Sequence, residues 1–188
     1  MDLREAITSR RSIRAYSAEP VARDVIEDLI HLAEQAPSSM NSQPWHFHVA
    51  TGEARSRVVR IVGSTTKYLE EYLRVLSPEE LEVAEEFFAD LGHAPVVIAV
   101  SVPSLDEEPD RTNALLATGG AIQNLQLAAR DKGLGSCCIT FSWWVREDLS
   151  DVFLVPADRE IVALVLLGAP AEVPQPPGRN GGHVDFVE

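Results

Sequence analysis

Ala94-Pro95-Val96-Val97-Ile98-Ala99-Val100-Ser101-Val102 is a nearly unbroken apolar run of strand length. A strand with one solvated face alternates apolar and polar residues. A run without that alternation predicts burial on both faces, with a layer packed on each side. Downstream, Asn113 to Lys132 reads as the longest helix, with Leu115, Leu116, Ile122, Leu125, Leu127 and Ala128 apolar. Its small residues Ala117, Gly119, Gly120 and Ala121 permit close backbone approach. A helix apolar on so many sides belongs in the core or against a second subunit, and we expect the subunit. Gly133 ends it. Leu134–Thr140 follows as a strand, Val145–Asp151 as a short helix after the Trp143-Trp144 pair, and Glu160–Leu167 as a last apolar strand.

Upstream of the apolar run, Leu3, Ala6 and Ile7 are helically spaced, which places a helix over about Asp2–Arg10. A second helix is expected from Pro20, carrying the stripe Val21, Val25, Ile26, Leu29, Ile30 and Ala33, and Pro37 stops it. Trp45 to Thr51 alternates Trp45, Phe47 and Val49 against His46, His48 and Ala50, the pattern of a half-buried strand. Glu53–Val62 and Thr66–Leu76 read as helices, and Ser77-Pro78-Glu79-Glu80 has capping-box form ahead of a helix to about Leu91. The section 64–93 is acidic and only modestly apolar, as expected of a peripheral, lid-like part. From 169 to 188 the prolines predict an extended tail.

The chain has 188 residues, 45% of them hydrophobic and 24% charged, which fits a single domain spanning 1–188 with a sizeable core. No apolar run approaches a membrane span, and the charged start Met1-Asp2-Leu3-Arg4-Glu5 has no signal-peptide character. Asp and Glu number 29 against 16 Lys and Arg, a balance that argues against a nucleic-acid partner. The two cysteines, Cys137 and Cys138, are neighbours whose side chains diverge in a strand, so neither a mutual disulfide nor a metal spacing is expected. His46 and His48 share a strand face, but no further ligand comes at a recognisable spacing, so no metal is assigned. The expected setting is reducing and cytoplasmic.

Two stretches carry chemistry. Arg10-Arg11-Ser12-Ile13-Arg14 places three guanidiniums within five residues of a chain whose net charge is −13. Clustered like charges call for an anionic guest, and arginine meets phosphate with a planar fork of donors. The plainer alternative is a solvated helix end, where cations are favourable anyway. Ala36-Pro37-Ser38-Ser39-Met40-Asn41-Ser42-Gln43-Pro44-Trp45 brackets small polar residues between prolines, as an ordered uncharged loop. Such a surface suits the edge of a polar heterocycle, the plainer alternative being an ordinary connector. Gly135-Ser136 stands at a helix-to-strand junction, the reverse of a dinucleotide fingerprint.

Together with Gly120-Ala121-Ile122-Gln123-Asn124-Leu125, Gly133-Leu134-Gly135-Ser136, Leu166-Leu167-Gly168-Ala169-Pro170 and the trailing Arg179, these stretches give the chain its character. In that order it resembles the FMN-dependent nitroreductase family along almost its whole length. The resemblance implies an α+β fold with a central, mostly antiparallel sheet flanked by helices. It also implies an intertwined homodimer whose C-terminal extension lies over the partner, with FMN at the subunit interface. Arg10, Ser12, Arg14 and Arg179 inherit contacts to the FMN phosphate and ribityl chain, and Arg11 shares the run. Pro37, Ser38, Ser39 and Asn41 are expected to reach the isoalloxazine from the other subunit. Ile139, Thr140 and Phe141 would pass their backbone beside the flavin. Asn180-Gly181-Gly182 stands where many relatives carry a second basic residue, which leaves more of the phosphate to the N-terminal arginines.

The activity so implied is ping-pong transfer of hydride from NAD(P)H to flavin N5 and on to a nitroaromatic, a quinone or a similar small conjugated electrophile. No catalytic side chain is required, because the cofactor carries the chemistry. Alternatives on the same fold are reductive dehalogenation, enone reduction and flavin breakdown, or flavin binding and storage without turnover.

Overall fold

The computed structural model describes residues 1–68, 77–140 and 143–187. Four strands, β1 (His46–Ala50), β2 (Val96–Pro103), β3 (Gly135–Ile139) and β4 (Arg159–Gly168), form one sheet in the order β1-β2-β4-β3. Every neighbouring pair is antiparallel. The expected α+β architecture with an antiparallel sheet is therefore present.

The central strands explain why the run at 94–102 lacks alternation. On one face Val97, Ala99, Leu164 and Leu166 join a core with Ile13, Val58, Val62, Phe87 and Leu149. On the other, Val96, Ile98, Val100, Val165 and Leu167 join a second core with Ile26, Leu29, Ala121 and Leu125. The first core is roofed by α3 (Gly52–Gly63), α4 (Pro78–Asp90) and α6 (Arg146–Phe153). The second is roofed by α2 (Arg23–Ala33) and α5 (Glu108–Asp131). The short α1 (Leu3–Ser9) precedes both layers. Both faces of the sheet must be apolar because both are covered.

Differences from the sequence reading have local causes. α2 begins at Arg23 rather than at Pro20, because the preceding segment is held extended: Ser17 N–H donates to the Ala169 carbonyl and Ala171 N–H to that of Ala15, each at 2.9 Å. α5 begins at Glu108, five residues ahead of Asn113, with Pro109 in its first turn where a missing N–H costs nothing. Its buried side chains fall on one face (Ala114, Ala117, Ala121, Leu125, Ala129), while Leu116 is 73% exposed. The alternation expected of β1 holds less well. Trp45 and Ala50 are buried on opposite sides, His48 is half-buried and Val49 is 42% exposed, because β1 is an edge strand that the helix layers only partly cover. The expected helix over 66–76 is described only as a 3-10 turn at Thr66–Tyr68; the remainder lies outside the described residues.

β2 and β4 pair in register from Val96↔Leu167 to Val100↔Ala163, after which Ser101 pairs with Ile161 and Val162 has no partner. This bulge turns the residues of β4 that precede it to the opposite face.

Candidate functional site

α1 stops at Ser9, and Arg10 to Arg14 leave it as extended chain laid beside β3. Ser12 and Ser136 form a parallel bridge, and Ile13 N–H donates to the Ser136 carbonyl at 3.0 Å. Ile13 and Tyr16 are buried anchors, with the Tyr16 hydroxyl donating to the Ile13 carbonyl at 2.6 Å. Gly135 is required here, since a Cβ on it would lie 2.8 Å from Ile13 Cγ1. With Ile13 turned into the core, alternation turns Ser12 and Arg14 the other way, and Arg14 is exposed.

Arg10, Arg11, Gln126, Arg130, Gly135 and Ser136 line one narrow cleft. Arg11 donates to the Thr8 and Arg10 carbonyls at 2.8 Å, so the helix-end reading applies to it directly. Arg130 donates to Ser9 Oγ at 3.0 Å. Among the described residues no carboxylate forms an ion pair with Arg10, Arg11, Arg14 or Arg130. In so acidic a chain, three guanidiniums (Arg10, Arg11 and Arg130) at one cleft without an ion-paired carboxylate are chemically suited to an anion, and forked donors to a phosphate group, while Ser12 and Arg14 do not line that cleft. Gln126 and Arg130 were not singled out from the sequence. Their only signal is the i,i+4 spacing that puts both on the α5 face turned to α1.

The nearby thiol and phenol are not reactive partners. Burial pushes the Cys137 thiol up, against the pull of Arg14 and Arg10, and burial likewise raises Tyr16. Burial pushes Cys138 up to about 11. Both thiols stay protonated near neutrality, and neither cysteine is in a disulfide.

The Pro37–Trp45 loop contains a 3-10 turn at Ser39–Asn41. Met40, Asn41 and Gln43 have left-handed backbone, φ 51°, 56° and 45°. Such a conformation costs a non-glycine residue roughly 1 kcal/mol and persists only where its surroundings enforce it. Here Gln43 N–H donates to Ser38 Oγ at 3.0 Å, Asn41 N–H to the Ser38 carbonyl at 3.1 Å and Ser42 N–H to that of Ser39 at 3.0 Å. The knot presents Pro37, Ser39 and Asn41 outward, with Met40 99% exposed. Among the described residues none of Pro37, Ser38, Ser39 and Asn41 lines the arginine cleft of the same chain.

Ile139, buried, and Thr140, exposed, stand at the far end of β3 from the Ser12–Ser136 bridge. Phe141 lies outside the described residues. Arg179 is exposed in the extended tail and lines neither the cleft nor the groove described next. His46 and His48 do share a face, with ring centroids 4.5 Å apart. No group of three or more His, Cys, Asp or Glu among the described residues is arranged to hold a metal ion. No helix among them is long and apolar enough to cross a membrane.

A groove of about 1040 Å³ lies along β1 and α2, walled by Val21, Ile26, Ile30, Val49, Pro95 and Val96. The edge of β1 remote from β2 pairs with nothing among the described residues.

The fold and the site define a class: an α+β protein with a doubly covered antiparallel sheet and, at the start of β3, an arginine cleft lined by no carboxylate among the described residues. Within that class, the chain belongs to the nitroreductase family, whose profile matches residues 7–169. It is similar to a 4-nitrobenzoate reductase of Nocardioides sp. (strain LMS-CY), 30% identical over 200 aligned positions that cover 86% of this chain and 78% of that protein. It is also similar to a 5,6-dimethylbenzimidazole synthase of Rhodospirillum rubrum, 31% identical over 179 positions covering 87% and 79% respectively. Among solved structures, the FMN and NADPH-dependent nitroreductase NfnB from sphigopyxis sp. strain HMH superposes with a TM-score of 0.81 at 20% identity, each chain covered fully.

Proposed function

We propose that this protein is an FMN-dependent oxidoreductase that takes reducing equivalents from NAD(P)H and delivers them to nitroaromatics, quinones or similar conjugated electrophiles by a ping-pong mechanism. The observation that carries the reading is the carboxylate-free arginine cleft, in a chain that belongs to the nitroreductase family. Arg10, Ser12 and Arg14 hold the phosphate and ribityl chain, joined by Arg179 from the tail. Arg11, tied to the end of α1, contributes charge from a fixed position. When bound, FMN supplies hydride acceptance from the nicotinamide and onward electron delivery. The chain's own residues bind, orient and exclude water. The Pro37–Asn41 loop offers hydroxyl, amide and backbone groups to the ring edge, and Ile139 and Thr140 lie on the other side.

The active form is a homodimer with the cofactor at the subunit interface. Two features support this: the exposed Leu116 on the outer face of α5, and a tail whose Val173, Val184, Phe186 and Val187 are all exposed. Tail residues of one protomer fill the groove beside the open edge of β1 on its partner, by strand addition and apolar burial. The described part of the acidic section, α4 with the turn after it, lies on the substrate side.

The test is the visible spectrum of the purified protein, followed anaerobically through titration with NADH and then NADPH. A flavin spectrum that bleaches with either supports the proposal. A flavin that does not bleach leaves a binding protein without turnover, and no flavin even after added FMN means the arginine cleft is not a flavin site. Double-reciprocal plots should be parallel; intersecting lines exclude ping-pong exchange. A second reading, oxidative breakdown of FMN itself, is favoured by the similarity to a 5,6-dimethylbenzimidazole synthase. It predicts consumption of reduced flavin under oxygen with no added acceptor, which chromatography of the flavin pool detects.

A further inference from the structure

The bulge in β4 aims one cation at the loop proposed to face the flavin. Because Val162 has no partner opposite β2, Arg159 falls on the same sheet face as Ser101 and His48, and not on the α2–α5 face. There two of the three guanidinium nitrogens are committed. Its Nε donates to Ser101 Oγ at 3.0 Å, and one Nη donates both to the Ser101 carbonyl at 2.8 Å and to the Pro44 carbonyl at 2.5 Å. Ser101 Oγ is itself 3.0 Å from His48 Nε2. Among the described residues no carboxylate forms an ion pair with Arg159. A half-buried arginine with no carboxylate in ion-pair contact, Asp158 beside it in sequence acting only at a distance, and bonded to backbone carbonyls, is a fastening device rather than a charge for solvent.

What it fastens is the end of the Pro37–Trp45 loop. Among the described residues, the hydrogen bonds given for 38–43 run within the loop. They fix its shape but not its orientation. Orientation comes from its two ends: Ala36, packed on Gly120 of α5, and Pro44, buried and held by Arg159. Without the guanidinium the buried Pro44 carbonyl loses its donor, and the left-handed residues lose the tie that sets their direction.

We infer that Arg159 is a positioning residue for the flavin-facing loop, so that flavin affinity depends on a side chain that does not touch the flavin. The inference rests on the proposed placement of that loop against the isoalloxazine. The test measures Arg159→Met and Arg159→Lys beside a loop variant, Ser39→Ala/Asn41→Ala. It reads FMN affinity by quenching of flavin fluorescence, amide hydrogen exchange at 38–44, and the melting temperature of the flavin-free protein. Losing charge-assisted hydrogen bonds of this kind predicts about a tenfold or greater loss of FMN affinity in Arg159→Met. Exchange at 38–44 should accelerate while β2 stays protected. Arg159→Lys, which keeps the charge but not the fork, should fall between Met and wild type.

If the loop variant weakens FMN while Arg159→Met leaves affinity and loop exchange unchanged, the positioning role is overturned. If the loop variant leaves affinity unchanged, the placement of the loop at the flavin fails instead, and accelerated exchange alone would report what Arg159 holds. Should Arg159→Met not fold, Ser101→Ala, which removes one of the arginine's acceptors, is read the same way: unchanged loop exchange and affinity count against the inference.

Discussion

His48 stands where β1 meets Ser101 and Arg159, and its surroundings keep the ring neutral. Burial, the neighbouring His46 and the Arg159 guanidinium together push its pKa down to about 4. In the unfolded chain an ordinary histidine titrates near 6.5. Between these values the unfolded state takes up a proton that the folded state does not. Stability is therefore full above about pH 6.5, falls as pH drops towards about 4, and levels off below it. Chemical denaturation across that window should show the decline, and His48→Gln, which can still bond to Ser101, should flatten it. A wild-type curve without any slope there would refute the neutral ring. That His46 and His48 share a face is legible from alternation alone. That the face carries an arginine from the far end of the chain is not, because one bulge residue in β4 decides it.

At the scale of elements, the turn after α4 packs closely against the arginine run. Leu91, Gly92 and His93 follow α4 with φ of 59°, 61° and 63°, three left-handed residues in succession. Arg55 holds this turn by donating to the Asp90 and Ala94 carbonyls, each at 2.8 Å. Tyr16 N–H donates to the Gly92 carbonyl at 2.9 Å, and a Cβ on Gly92 would lie 1.8 Å from the Arg14 carbonyl oxygen. Gly92→Ala must therefore move the backbone of Arg14. We expect a loss of about 2–4 kcal/mol in stability, from left-handed strain and overpacking, with FMN affinity reduced in the fraction that folds. Thermal melting and flavin titration check it; a variant with native melting and native affinity would show that the turn and the arginine run are independent. The capping box at Ser77 was readable four letters at a time, and both of its hydrogen bonds are present, at 2.8 and 3.2 Å. The left-handed turn was not, since Leu91, which opens it, is a type that rarely adopts positive φ.

At the scale of the molecule, the single chain leaves apolar surface that a homodimer would cover. If the proposed homodimer packs on the outer face of α5, Leu116→Glu should give a monomer where the wild type is a dimer in light scattering after size exclusion, and flavin should be lost with it. A dimer unaffected by that charge would place the interface elsewhere. Deleting 171–187, and Arg179 with it, should weaken FMN binding more than it lowers the melting temperature, because the tail adds nothing to either core.

The amino-acid sequence alone determined the order of the described strands and main helices, the doubly buried central strand, the capping box and the clustering of cationic side chains in the arginine run. Each depends on local pattern, on period and on side-chain type. Tertiary structure alone decided which guanidiniums share a cleft, which of them merely satisfies the end of α1, and which one reaches Pro44. These depend on contacts between residues far apart in the chain: Gln126 and Arg130 come to Arg10 because α5 packs back along α1, and Arg159 faces Ser101 because one unpaired residue reverses the side-chain alternation of β4.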